Sequence, residues 1–206
     1  MIGWMSNWDY AVKVPTETWR SAMTTPRKVA LKKDDNGYRL ISTPVQDLNK
    51  YRGTKFKKEN IAVNGITKII GSESIDLAST EINFNLNNLD DKSFTFKLSN
   101  KVNDTLLFGY SHAKKSFFID RKKSGKIKFS EKFANKISYA PRTSTNKNLS
   151  GTILIDKTSI ELFFDEGETV MTEIFFPNQP FSTFSIETKN RELLLDYIEI
   201  NQLNIN

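Results

Sequence analysis

From about residue 75 to the C-terminus the chain alternates polar and apolar residues with a period of two. Glu81-Ile82-Asn83-Phe84-Asn85-Leu86-Asn87 does so without a break, and Phe94, Phe96 and Leu98 repeat the pattern around Thr95 and Lys97. Leu106, Phe108 and Tyr110 continue it, as do Ile127 and Phe129, then Ile153 and Ile155, then Ile160, Leu162 and Phe164, then Phe184 and Ile186, then Ile198 and Ile200. A strand with one buried and one wet face produces this alternation, and antiparallel sheets are where such strands occur. Turn chemistry separates the runs: Asn87-Asn88-Leu89-Asp90-Asp91, Lys123-Ser124-Gly125, Asp156-Lys157-Thr158 and Asp165-Glu166-Gly167. No stretch carries a convincing helical period. The expected fold is all-β, a two-sheet antiparallel sandwich of roughly ten to twelve strands with a jelly-roll or lectin-like build.

What the chain lacks excludes whole classes of chemistry. It has no cysteine, hence no thiolate nucleophile, disulfide or cysteine-ligated metal. Its one histidine, His112, rules out sites that need two imidazoles. Neither common phosphate-cradling glycine loop occurs, and no residue pattern asks for a cofactor or a metal. No apolar run approaches the roughly 18 residues of a membrane helix, so no membrane partner is expected. The opening Met1 to Tyr10 has no basic and apolar leader, so no secretory signal is expected there. Thirty Lys and Arg against 24 Asp and Glu give a net charge of +6. Acidic residues are interspersed among the basic ones, so the lysines read as solvating turns and guarding strand edges rather than binding nucleic acid.

The first 50 residues read differently. All three tryptophans, Trp4, Trp8 and Trp19, fall within 16 residues, with Met5, Tyr10 and Met23 nearby. Asn36-Gly37 between two short apolar runs is the strongest hairpin signal in the chain. Gln46 to Lys58 is polar and reads as a connector.

Gly3-Trp4-Met5-Ser6-Asn7-Trp8 with Tyr10, then Pro15-Thr16, then Trp19-Arg20 with Met23, Pro26, Arg27 and Leu31, resembles a segment of glycoside hydrolase family 32, which contains invertases, inulinases and levanases. Two later stretches agree. Asp120-Arg121 with Ser124-Gly125 is similar to the family's D-R-x-x-S-G strand and turn. Asp156, Ser159, Glu161, Phe163, Gly167 and Glu168 are similar to its D-x-x-S-x-E-x-F-x-x-x-G-E stretch. The resemblance implies a propeller that holds the active site, followed by a β-sandwich. On that basis residues 1–45 are the remnant of the last propeller blade, 46–57 a linker and 58–206 the sandwich. It implies three catalytic carboxylates in W-M-N-D-P-N-G, R-D-P and E-C boxes, none of which occurs in this sequence. No catalytic residue is therefore expected here, since glycoside hydrolysis needs a carboxylate pair flanking the scissile bond.

The resemblance assigns substrate binding to Trp4 and Asn7, with a fructan or sucrose-type carbohydrate as partner in the intact enzyme. The expected function is that of a C-terminal fragment or truncated homologue of a β-fructosidase, inactive alone. The alternative is a stand-alone carbohydrate-binding or subunit-assembly sandwich. Trp8 and Trp19 are expected in packing, as indoles favour buried interfaces. Trp19 and Met23 are expected against the sandwich, and Met1 to Tyr10 in self-association or disorder. The adjacent carboxylates Asp34-Asp35, Asp90-Asp91 and Asp165-Glu166 read as solvated turn residues, and Asp120 as a structural contact.

Overall fold

Alternation becomes two stacked sheets because each strand can bury only one face against its own sheet's partner. The computed structural model describes residues 1–34, 37–71, 75–189 and 191–205. Strands β1 (Arg27–Asp34) and β2 (Gly37–Pro44) form a separate hairpin, paired in register from Arg27 opposite Pro44 to Asp34 opposite Gly37. The turn residues Asp35 and Asn36 lie outside the described residues. A 3-10 turn at Gln46–Tyr51 follows.

Twelve strands then build the sandwich: β3 (Arg52–Val63), β4 (Ile66–Ile70), β5 (Thr80–Asn87), β6 (Phe94–Ser99), β7 (Thr105–Ser111), β8 (Ser116–Lys123), β9 (Ser138–Pro141), β10 (Leu149–Ile155), β11 (Ser159–Phe164), β12 (Thr169–Ile174), β13 (Thr183–Thr188) and β14 (Leu193–Leu203). One sheet runs β12-β11-β10-β5-β14-β3 and the other β4-β13-β6-β7-β8-β9, with every neighbouring pair antiparallel.

The core is aromatic. Phe84, Phe94, Phe96, Phe108, Phe117, Phe164 and Phe184 are all fully buried between the sheets. Phe117 and Phe164 stack across them at 3.9 Å, and Phe96 stacks on Phe184 at 5.1 Å while meeting Phe84 edge-on at 5.0 Å. Such pairs each add about 1 kcal/mol beyond their area burial. Gly151 makes room for Phe84, because a Cβ there would lie 2.3 Å from the ring.

Three expectations change. Ile127 and Phe129 belong to no strand: they lie between β8 and β9 where the chain turns, and their side chains pack against a cluster that includes Phe133 and Phe176. Residues 52–57, read as part of a connector, are the first half of β3. Arg52 pairs with the buried Glu81 (Nε–Oε2 2.8 Å) and Thr54 Oγ1 lies 2.7 Å from Asn201 Oδ1. β3 is an edge strand, where lysines are tolerated and alternation is blurred. Strand β11 was expected to have one wet face, yet all six of its residues are buried. Its outward Glu161 is covered by Thr25 and Arg27, and Phe163 by Arg27 together with Leu48, Leu154 and Leu203.

Candidate functional site: the N-terminal aromatic corner and its joint

Residues 3–5 run antiparallel to 22–24. Met5 N–H donates to Ala22 O (2.9 Å), Thr24 N–H to Gly3 O (2.8 Å) and Gly3 N–H to Thr24 Oγ1 (2.9 Å). This bridge sets Trp4 opposite Met23. The Trp4 ring is half-buried and lies 5.0 Å from Trp8, tilted by 58°. Asn7 heads the next turn. Its Oδ1 accepts from Asp9 N–H (2.8 Å), and its carbonyl accepts from Tyr10 and Ala11. Asn7 is exposed and directly precedes Trp8, so it shares a corner of the chain with the paired indoles.

Three stretches hold this corner to the sandwich. In the first, Met5, Tyr10 and Val14 are buried in a cluster with Phe133, Ala134, Ile174 and Phe176. Tyr10 meets Phe133 edge-on at 5.1 Å. The Arg121 guanidinium lies over the Phe133 ring at 4.3 Å, donates to Ile174 O (2.7 Å) and Tyr10 Oη (3.3 Å), and pairs with Glu173 at 2.9 Å. Gly125, at φ +112°, lets the following turn pass Phe176, where a Cβ would lie 2.3 Å from the Phe176 carbonyl oxygen.

In the second, the buried Arg27 grips Glu161, itself 2% exposed, through Nε (3.0 Å) and Nη2. Its Nη2 also donates to Thr172 Oγ1 (2.7 Å), its guanidinium lies 5.0 Å from the Phe163 ring centre, and Thr25 N–H donates to Glu161 Oε1 (2.8 Å). In the third, Lys32 pairs with Glu168 at 2.6 Å, and the Ser42 backbone rests on Gly167 (φ +86°), where a Cβ would lie 2.2 Å from Ser42 O.

Several expectations are corrected here. Trp8 is 87% exposed and Trp19 40% exposed, and it is Tyr10 and Arg27, not these indoles, that dock on the sandwich. Met23 is exposed too, while Met5 and Tyr10, from the segment expected in self-association or disorder, are buried against the sandwich. Asp165 is no solvated turn residue: it is buried, with Arg142 donating to both its oxygens (2.8 and 2.9 Å). Burial pushes its carboxyl above the usual aspartate value, and Arg142 pulls it part of the way back. Asp120 makes local contacts, accepting from Lys122 N–H at 3.0 Å. Among the described residues no cluster of His, Asp and Glu could hold a metal ion.

Between the hairpin and the sandwich lies a polar trough of about 590 Å³, lined by Lys32, Arg39, Asn85, Ser150, Glu166 and Asp196 among others. Glu168 and Asp165 also line it, and they are paired with Lys32 and Arg142 respectively.

The family profile described as the C-terminal part of glycosyl hydrolases family 32 matches residues 47–202, and that of the family's N-terminal domain matches residues 1–44. The chain belongs to glycoside hydrolase family 32. Among its relatives, a levanase of Bacillus subtilis (strain 168) is 30% identical over 98% of this chain and 30% of its own length. An extracellular exo-inulinase of Aspergillus awamori is 30% identical over 86% of this chain and 33% of its own length. The crystal structure of exo-inulinase from the same fungus superposes with a TM-score of 0.85 at 26% identity, covering 98% of this chain and 40% of that one. The chain therefore spans about a third of the length of the curated relatives it matches.

The family-32 motif stretches have a physical role in common. Arg27 from the first, Arg121 and Gly125 from the second, and Glu161, Phe163, Gly167 and Glu168 from the third are residues that meet at the joint. Sequence periodicity did not reveal this, since Glu161 occupies an ordinary outward position. The one signal available was that these charged residues sit inside the quoted motifs.

Proposed function

We propose that this chain is the C-terminal part, or a truncated homologue, of a β-fructosidase that hydrolyses fructan or sucrose. In this reading residues 1–45 end the last propeller blade, and the sandwich that follows supports the propeller. The observation that carries it is the joint. Three motif stretches lock a tryptophan-bearing segment to the sandwich while leaving Trp4, Asn7 and the outer side of the hairpin open. On that outer side Val29, Leu31, Tyr38 and Leu40 form an exposed apolar stripe, the kind of surface a neighbouring blade covers. The levanase and exo-inulinase names of the relatives supply the substrate class. Trp4 would stack on a fructosyl ring in the pocket, with Asn7 donating to a hydroxyl. The carboxylates that protonate the leaving oxygen and attack the anomeric carbon would come from propeller boxes absent from this sequence.

The 206-residue chain incubated with sucrose, inulin or levan is expected to release no fructose. The carboxylate pair is responsible for most of a barrier reduction of at least about 8 kcal/mol. Turnover above a buffer blank that survives repurification contradicts the reading.

A further inference from the structure

The sandwich has a second outer face, on the sheet that the hairpin does not touch. Registers there align Glu187 with Thr95, Thr95 with Gly109, Gly109 with Phe118, and Phe118 with Tyr139, one row across five strands. The row points away from the core, since Ile186, Phe96, Phe108, Phe117 and Ile119 beside it are buried. Only glycine fits at its centre: a Cβ on Gly109 would lie 2.1 Å from the Phe94 carbonyl oxygen. The bare position leaves a notch two strand spacings wide, roughly 10 Å, between Thr95 and Phe118. A hollow of about 430 Å³ opens over it, lined by Thr95, Ser111, Phe118 and Glu187, with Lys189 and Arg191 at the rim.

We propose that this row is a binding site for a neutral sugar. The half-buried Phe118 ring lines the hollow and offers a platform for the C–H side of a sugar ring, while the Tyr139 ring lies beyond it, 6.5 Å away and tilted by 49°, with Lys114 Nζ over it at 4.7 Å. Across the notch stand the Glu187 carboxylate and the Thr95 hydroxyl, with the Ser111 hydroxyl two residues along β7 from Gly109. None of these side chains makes a hydrogen bond or ion pair among the described residues. Acceptors and donors facing an aromatic platform across one ring's width match a polyol. Glu187 in the floor repels an anion and Arg191 is engaged by Asp91, which leaves Lys92 and Lys189 as the other cations of the lining. An apolar protein partner is disfavoured because two rings amid hydroxyls and charges offer too little apolar area. The site lies apart from the Trp4 corner and needs no residue of it. That the sugar is a fructosyl unit rests on the function proposed above; the existence of the site does not.

The test is titration of the ¹⁵N-labelled 206-residue chain with nystose, a neutral fructo-tetrasaccharide, and in parallel with maltotetraose. Nystose is expected to bind with a Kd on the order of 1 mM and to shift the amides of Thr95, Gly109, Phe118 and Glu187. Phe118→Ala is expected to weaken binding about tenfold by removing the platform. The isosteric Glu187→Gln, which keeps the fold, is expected to weaken it about fivefold. Tyr38→Ser, which removes an exposed ring on the hairpin, is expected to leave binding unchanged. Equal binding of maltotetraose at the same amides supports the sugar site and overturns the fructosyl assignment. No shifts up to roughly 10 mM of either sugar, or shifts confined to the Trp4 corner, overturn the site. So does a dimer on sedimentation that Phe118→Ala dissolves, because a second copy then covers the row.

Discussion

Phe96 and Trp8 are both large aromatic side chains, yet Phe96 is fully buried and Trp8 is 87% exposed. The contrast runs through the two regions they belong to. In the sandwich, Phe84, Phe96, Phe108 and Phe184 pack on one another from facing sheets, so each ring's apolar area is removed from water by other rings. In the N-terminal region the hairpin has no second sheet, and its outward Leu31, Tyr38 and Leu40 stay exposed. That region is held instead by a few specific contacts, mainly Tyr10 in its cluster, Arg27 on Glu161 and Lys32 on Glu168. Area burial is non-directional and spread over many residues. Buried ion pairs depend on both partners being in place. The sandwich should accordingly be one cooperative unit, and the N-terminal region an attachment whose strength sits in a handful of groups.

The comparison sharpens most at Phe96. Phe96→Ala opens a cavity between the sheets and is expected to cost about 3–5 kcal/mol of global stability, read from denaturant unfolding. A loss well under 1 kcal/mol would mean that the core is not where the stability lies. A smaller, local effect is expected from Glu161→Ala. It strands the Arg27 guanidinium in a buried site, a penalty of about 3 kcal/mol that the chain relieves by letting residues 1–44 lift away. Limited proteolysis should then cut this variant in the N-terminal region several times faster than the parent, with the midpoint of the sandwich transition little changed. A midpoint shift as large as that of Phe96→Ala would break the distinction between the regions.

The parts of this structure that were legible in sequence are those governed by period. Ile82, Phe84 and Leu86 on β5, or Phe94, Phe96 and Leu98 on β6, announce a strand with one buried face because nothing else competes for their other face. β3 was hidden because an edge strand carries Lys57, Lys58 and Glu59 where a central one would carry apolar residues. β11 was legible as a strand but not as a joint. Glu161 between Ile160 and Leu162 has the pattern of a solvated position, and only the arrival of Arg27, 134 residues away in sequence, makes it a buried ion pair. The aromatic corner was legible as a site through its motif. The exposure of Trp8 and Trp19 was not, because an indole's tendency to be buried is realised only where a partner surface exists, and on the sandwich the docked residues are Tyr10 and Arg27.

Native-state hydrogen exchange under increasing denaturant tests the central claim most directly, because it reads the opening free energy of each region in the same sample. The account predicts that amides of β5, β6 and β10 exchange only through global unfolding, with the full denaturant dependence. Those of β1 and β2 should open at much lower free energy and with little denaturant dependence. If the hairpin amides open with the same free energy and the same dependence as β5, the two regions are one cooperative unit and the account is wrong.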